Sequence, residues 1–367
     1  MKKIILSVLV LVMLFNIIGC QSDPYPAVKS TREERRVVMT LNFDGEIYKV
    51  KYELYRALFL SHKRDVDGGD DSVWQGENKE EYINKINDII IDKASEIYSV
   101  FHLAKKLKIK PYSRDMDKLV KERIRISIEG SEAGVIGYGG NYDNYLAALK
   151  ESNLNYSVQD LLIRYSILLE KINEYYHGVE DDALGKLPGE FTVDSKALSD
   201  YYYGDDSVRI MHAYMQEGVS NDTYGKMEEI RQGMISSDDE ISMALFIINN
   251  TFIPPQDLIV DKKVSGIMVS KNAINDTYSV YKDAAFSLEV GEVSPIIEVD
   301  DGTLGYYVLY RLNKDSDHFE RCYEDIKTSY LDDLIGKELI KISEGLSCGV
   351  EYKKNYEKIS HKDISMN

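Results

Sequence analysis

The chain has 367 residues, 44% hydrophobic and 29% charged, and its excess of acidic side chains gives a formal charge of -17. Phosphate contacts need clustered Lys and Arg, so this balance argues against a nucleic-acid partner, and it also repels anionic lipid headgroups. Three cysteines, Cys20, Cys322 and Cys348, are too few and too far apart for a structural zinc site.

The amino terminus, MKKIILSVLVLVMLFNIIGCQSD, places Lys2 and Lys3 before an apolar run from Ile4 to Ile18, then Gly19 and Cys20. That layout predicts a secretory signal over residues 1–19. The run is shorter than the roughly 20 apolar residues of a spanning helix, although an uncleaved anchor is its other reading. Its end, Ile17-Ile18-Gly19-Cys20, resembles the lipobox of bacterial lipoproteins. The resemblance implies that Cys20 is diacylated and becomes the first mature residue, and two acyl chains anchor a protein where one holds it only marginally. Residues 20–36 read as a tether, since Gln21, Ser22, Asp23, Pro24 and Pro26 bury too little surface to fold.

A hairpin is predicted next, because RRVVMTLNFDGEIYKV alternates around Asp44-Gly45. Helical periodicity follows through Leu54, Tyr55, Leu58 and Phe59, and again from Glu80 to Lys108, with Pro111 as the stop. The acidic loop between them fails as a calcium loop: with Asp65 first, Asp70 falls where the turn glycine belongs and Gly76 where the bidentate glutamate belongs. Further helices are predicted over about 114–128 and from Tyr142, separated by GVIGYGG, which does not follow a strand and so is no nucleotide loop. Ser157 is the expected N-cap of a long helix carrying Leu161, Tyr165, Leu168 and Leu169.

After about residue 190 the rhythm changes to a short helix, a strand Val208–Met215, and helix over 222–250. The acidic cluster Asp238-Asp239-Glu240 is read as a helix N-terminus, where carboxylates are favoured. SVYKDAAFSL is a helix, and Ile296–Val299 and Tyr306–Leu312 are strands about the turn Asp300-Asp301-Gly302. One long helix ends the pattern near Gly345 and Gly349. Cys322 and Cys348 either pair in a disulfide, which an extracytoplasmic setting permits, or stand as two buried thiols.

Four stretches give the chain a family resemblance: LNFDGEIYKVKYELYRA, LNYSVQDLLIRYSILLEKI, VDSKALSDYYYGDDSVRIMHAYM and YKDAAFSLEVGEVSPIIEVDDGTLGYYVLYRL. Together they resemble the extracytoplasmic foldases that join a SurA-like or PrsA-like helical chaperone body to a parvulin-type (PpiC-like) peptidyl-prolyl isomerase domain. The resemblance implies an α+β fold, a helical chaperone body with an inserted four-stranded antiparallel sheet surrounded by helices. It sets domains at 37–204 for the amino-terminal chaperone region, 205–313 for the parvulin-like domain and 314–367 for a carboxy-terminal helix packing on the body. It implies unfolded or partly folded exported proteins as partners, attachment to a bacterial membrane through Cys20, and no cofactor.

Prolyl isomerisation crosses an amide-resonance barrier of roughly 18 to 20 kcal/mol, which a site lowers by favouring the twisted amide over both planar forms. Apolar walls and a few oriented polar groups suffice. By resemblance His212 is the first family histidine, Phe286 and Met268 line the proline pocket, and Tyr307 stands where the second histidine belongs. Tyrosine lacks the paired ring nitrogens that let two histidines share a proton network. The family's Gly-Gly-Asp-Leu-Gly run is also missing, with Gly266 as its remnant, so a non-catalytic holdase is the alternative. A transporter's substrate-binding lipoprotein is disfavoured by the absence of repeated βα units.

Overall fold

Asp44 and Gly45 both have positive φ, 51° and 85°, and the turn they make pairs β1 (Val37–Phe43) with β2 (Glu46–Lys51) in the predicted hairpin. The structure is a computed structural model that describes residues 24–131, 134, 136–181, 185–254, 258–273, 279–300, 303–345 and 349–366. Cys20 and Cys348, and with them the lipid site and the pairing of Cys348 with Cys322, lie outside the described residues. Among the described residues no helix is long and apolar enough to cross a membrane.

The chain divides into two units, residues 1–170 with 342–367, and residues 171–341. In unit one, α1 (Tyr52–Asp67) and α2 (Lys79–Lys106) pack on each other and on the hairpin, burying Phe43, Tyr55, Phe59, Ile86, Ile90 and Phe101. Their apolar stripes recur at three and four residues, so one face of each helix leaves water. The Tyr55 hydroxyl fixes their register by donating to Asn87 Oδ1 at 2.9 Å. The acidic loop folds on local bonds: Asp70 caps a 3-10 turn by accepting from the Ser72 amide at 2.9 Å, and Asp67 accepts from Trp74 Nε1 at 2.8 Å.

Next come α3 (Arg114–Glu129), α4 (Tyr142–Glu151) and α5 (Tyr156–His177). The cap of α5 is Asn155, whose Oδ1 accepts from the Val158 amide at 2.9 Å, while the expected cap Ser157 donates instead to Glu53 Oε1 at 2.9 Å. Both residue types suit the position, and the neighbouring carboxylate of Glu53 decides between them. The tether is also shorter than predicted. From Tyr25 onward it lies on unit one, with the Tyr25 hydroxyl donating to Glu129 and the Tyr142 hydroxyl donating to the Pro26 carbonyl.

Unit two opens with the short pair β3 (Val179–Asp181) and β4 (Gly185–Leu187), then α6 (Ser195–Tyr203) and β5 (Ser207–Gln216). The predicted helix over 222–250 is two helices, α7 (Thr223–Ile235) and α8 (Glu240–Asn250). Asp239 starts the second by accepting from the Ser242 amide at 2.7 Å, as its acidic cluster suggested. A small pair, β6 (Ile259–Val260) and β7 (Lys263–Val264), leads to β8 (Ile267–Ser270), α9 (Ser279–Ser287), β9 (Ile297–Asp300) and β10 (Leu304–Leu312). The main sheet is antiparallel in the order β8-β5-β10-β9. The fold is therefore the α+β arrangement expected, helices around a four-stranded antiparallel sheet.

Both sheet faces are covered, and strand alternation divides their side chains. Met211, Ala213, Met215, Tyr306 and Val308 share one core with Met227, Ile230 and Met234 of α7 and Ala244 and Ile247 of α8. Val208, Ile210, Val269 and Leu309 share the other with Tyr281 and Ala285 of α9. The predicted carboxy-terminal helix is two, α10 (Ser316–Arg321) and α11 (Tyr323–Glu344), broken at the buried Cys322. Cys322 and Ile326 pack with Leu198, Tyr201 and Tyr202 of α6. Residues 314–341 thus belong to unit two, and unit two begins at 171, so the boundaries 205 and 313 lie inside it. Beyond α11 the chain rejoins unit one as a strand, Glu351–Tyr352, paired with β1.

Candidate functional site

His212 stands in the middle of β5, a strand whose β-branched and large apolar residues suit a sheet covered on both sides. It faces α9, on the same side as Val208 and Ile210, and its cross-strand partner is Leu309. Burial pulls the imidazole to a pKa of about 4, so the ring is neutral at physiological pH. Its Nδ1 shares a hydrogen bond of 2.6 Å with the hydroxyl of Tyr281, which projects from α9. Burial raises the Tyr281 hydroxyl well above its ordinary value, so this partner is neutral as well.

Tyr307, on β10 opposite Tyr214, completes the group. Its ring meets His212 edge to face at 5.5 Å and Tyr281 at 5.1 Å, and lies 4.7 Å from the ring of Tyr214. The rings of His212 and Tyr307 are thus in contact, but the hydrogen-bond partner of His212 is Tyr281. Beyond Ile210 the edge of β5 is no longer paired with β8; there the Tyr214 amide donates to Thr251 Oγ1 at 2.8 Å and the Phe252 amide donates to the Tyr214 carbonyl at 2.8 Å. These bonds bring Phe252, 45% exposed, to within 6.5 Å of Tyr214 between ring centroids, and Ile253 follows at 59% exposed.

The two predicted pocket residues separate. Phe286 packs, half-buried, against the core that contains Tyr281 and Leu309, on the His212 face. Met268 does not: it pairs with Arg209 across β8 and β5 and packs against Tyr201, Tyr202 and Ile326, on the opposite face. Successive residues of a strand alternate faces, so its neighbours Ile267 and Val269 are the ones presented to the His212 side. The residues missed from sequence are Tyr281, Tyr214 and Phe252. Tyr281 had a signal, since it precedes Ala285 by four positions on the buried stripe of α9 and the buried Leu288, just past the helix, by seven; Phe252 had none, because a loop places it.

Gly266, read as a remnant of a glycine motif, has a structural duty. Its φ is 72°, and a Cβ there would lie 2.5 Å from Leu312 Cδ1 and 2.8 Å from the Ile210 carbonyl oxygen. Beside it, buried Arg209 donates to the Ser265 carbonyl at 2.8 Å and the Asn313 carbonyl at 2.7 Å, tying the entry of β8 to the exit of β10.

Unit one has its own candidate surface, a cleft of about 710 Å³. Leu146, Leu149, Leu154 and Ile359 line it beside Arg36 and Arg56, whose guanidinium groups lie 5.6 and 6.0 Å from the Tyr52 ring. Both guanidinium groups are ion-paired within the cleft, Arg36 with Glu33 at 2.6 Å and Arg56 with Glu34 at 2.7 Å, so its polar side is charge-balanced beside an apolar wall.

With this geometry in hand, comparison with solved structures finds likenesses to foldases at low identity. The foldase protein PrsA of Streptococcus pneumoniae is 16% identical over 73% of this chain and 87% of that one, with a TM-score of 0.30. PrsA of Bacillus subtilis is 15% identical over 76% and 90%, with a TM-score of 0.25. PrsA of Lactococcus lactis is 13% identical over 90% and 99%, with a TM-score of 0.24. No family model and no curated protein matches the chain.

Proposed function

We propose that the protein is a membrane-anchored extracytoplasmic foldase, a parvulin-class peptidyl-prolyl cis-trans isomerase that assists exported proteins. The observation that carries this reading is the neutral His212–Tyr281 hydrogen bond, 2.6 Å long, set among Tyr307, Tyr214 and the half-buried Phe286 on one face of the sheet. Such a site supplies what amide rotation needs: rings that hold a prolyl side chain, and neutral donors that hydrogen-bond the twisted amide more strongly than the planar one. Phe252 and Ile253 extend the apolar surface to the residues flanking the proline. The cleft of unit one holds other parts of the unfolded client, and lipid on Cys20 keeps the protein at the membrane.

The test is a refolding reaction limited by proline isomerisation, a step of tens of seconds without catalyst. The protein shortens the slow phase, and His212→Ala abolishes the shortening. An unchanged slow phase, or an acceleration that survives His212→Ala, refutes the catalytic role.

Tyr307 favours a second reading. By resemblance it stands in for the second histidine, and its ring packs on His212, Tyr281 and Tyr214. With that space taken by a side chain, unit two is a scaffold and the protein a non-catalytic holdase. A holdase suppresses client aggregation equally well as wild type and as His212→Ala, with no effect on the proline phase.

A further inference from the structure

The amino-terminal segment meets unit one very near its expected lipid. Tyr25 lies 5.6 Å from Tyr142 between ring centroids and donates to Glu129 Oε1 at 2.9 Å, and the Tyr142 hydroxyl donates to the Pro26 carbonyl at 2.5 Å. From Cys20 to Pro24 is at most about 14 Å even for fully extended chain. A lipid on Cys20 therefore holds the end of α3 and the start of α4, where Tyr25 docks, close to its own point of insertion.

The loop between these two helices presents an apolar tip. Ile136 is 95% exposed and Tyr138 43% exposed. Rings connect this tip to the docked segment: Tyr138 is 5.9 Å from Tyr145, Tyr145 is 6.2 Å from Tyr142, and Tyr142 touches Tyr25. Close backbone packing holds the Gly137 and Gly140 side of this tip. The Gly140 amide donates to the Ile128 carbonyl at 3.0 Å, and a Cβ on Gly137 would fall 2.2 Å from the Gly130 nitrogen. An isoleucine this exposed to water gains by entering lipid, and tyrosine suits the headgroup level. The net -17 of the whole chain repels anionic headgroups, but α3 beside the tip is nearly balanced, with five basic and four acidic side chains, so the repulsion is weakest on this face.

We infer that Ile136 and Tyr138 enter the interfacial layer of the bilayer beside the acylated Cys20, docking unit one on the membrane by this face. The inference rests on the reading of Cys20 as the lipid site. The length of chain between that site and Tyr25 is what selects lipid as the occupant over a protein partner.

The test uses the full acylated protein in phosphatidylcholine–phosphatidylglycerol vesicles whose acyl chains are brominated near the headgroup. Ile136→Trp adds a fluorophore at a solvent-exposed position, and the unmodified protein supplies the background from the buried Trp74. Ile47→Trp, at a 61% exposed position on β2, is the comparison. The expected result is at least a twofold loss of the Ile136→Trp signal, with that of Ile47→Trp unchanged. No quenching of Ile136→Trp, with the diacyl group on Cys20 verified by mass spectrometry, overturns the docking and leaves the tip to a protein partner. Equal quenching at both positions overturns it too. If the mass spectrum shows no acyl group on Cys20, the anchor reading falls and the docking with it.

Discussion

Tyr281→Phe removes one atom from the centre of the candidate site. The phenyl ring keeps its contacts with Tyr307 at 5.1 Å and with His212 at 5.8 Å, so the change isolates the 2.6 Å hydrogen bond to His212 Nδ1. Tyr281 is only 6% exposed, so water cannot readily replace the lost hydroxyl. A buried polar atom left without its partner costs about 1–3 kcal/mol. In a unit of this size that lowers Tm by roughly 2–4 °C for each kcal/mol. The single tryptophan, Trp74, lies in unit one and does not report on unit two. Hydrogen exchange of peptides covering β5 and β10 is therefore the assay. In a His212→Leu background both partners are apolar and the same substitution becomes nearly neutral, giving a coupling of at least about 0.5 kcal/mol. Equal cost in the two backgrounds would refute the bond and with it the positioning of His212.

Acid should loosen unit two before neutral conditions do. His212 and His318 are both held at pKa about 4 by burial, against roughly 6.5 when unfolded, so the unfolded chain binds protons first and stability falls as pH drops from 6.5 to 4. Each group contributes at most about 3 kcal/mol across that window, seen as faster exchange in β5 and β10 at pH 5 than at pH 7 after correction for intrinsic rates. Flat stability over the window contradicts the burial of these rings. Gly266→Ala should cost about 2 kcal/mol or more, from left-handed backbone and the clash with Leu312 and the Ile210 carbonyl. Urea unfolding followed by near-ultraviolet circular dichroism reads that loss, and a neutral result would mean that β8 can shift to admit the methyl group.

Local patterns are legible in the sequence where neighbouring residues alone decide the outcome. Asp44-Gly45 makes a hairpin because both residues accept positive φ, and Asp239 caps a helix through an amide three residues away. The errors come from competition between equivalent local signals. Asn155 and Ser157 can both cap, and only the carboxylate of Glu53, about a hundred residues earlier, draws the serine away. The resemblance groups Met268 with Phe286, whereas its register against Arg209 turns it to the other side of the sheet.

Spacing within a few residues suffices for the helical and strand periods and for His212 and Tyr307 to fall on strands, and composition alone sets the acidic charge. Tertiary structure decided which side chain answers His212. That partner, Tyr281, lies 69 residues away on a helix laid across the sheet. A hydrogen bond is made by distance and direction in space, and a linear sequence fixes neither until the sheet has chosen its register and the helix its face.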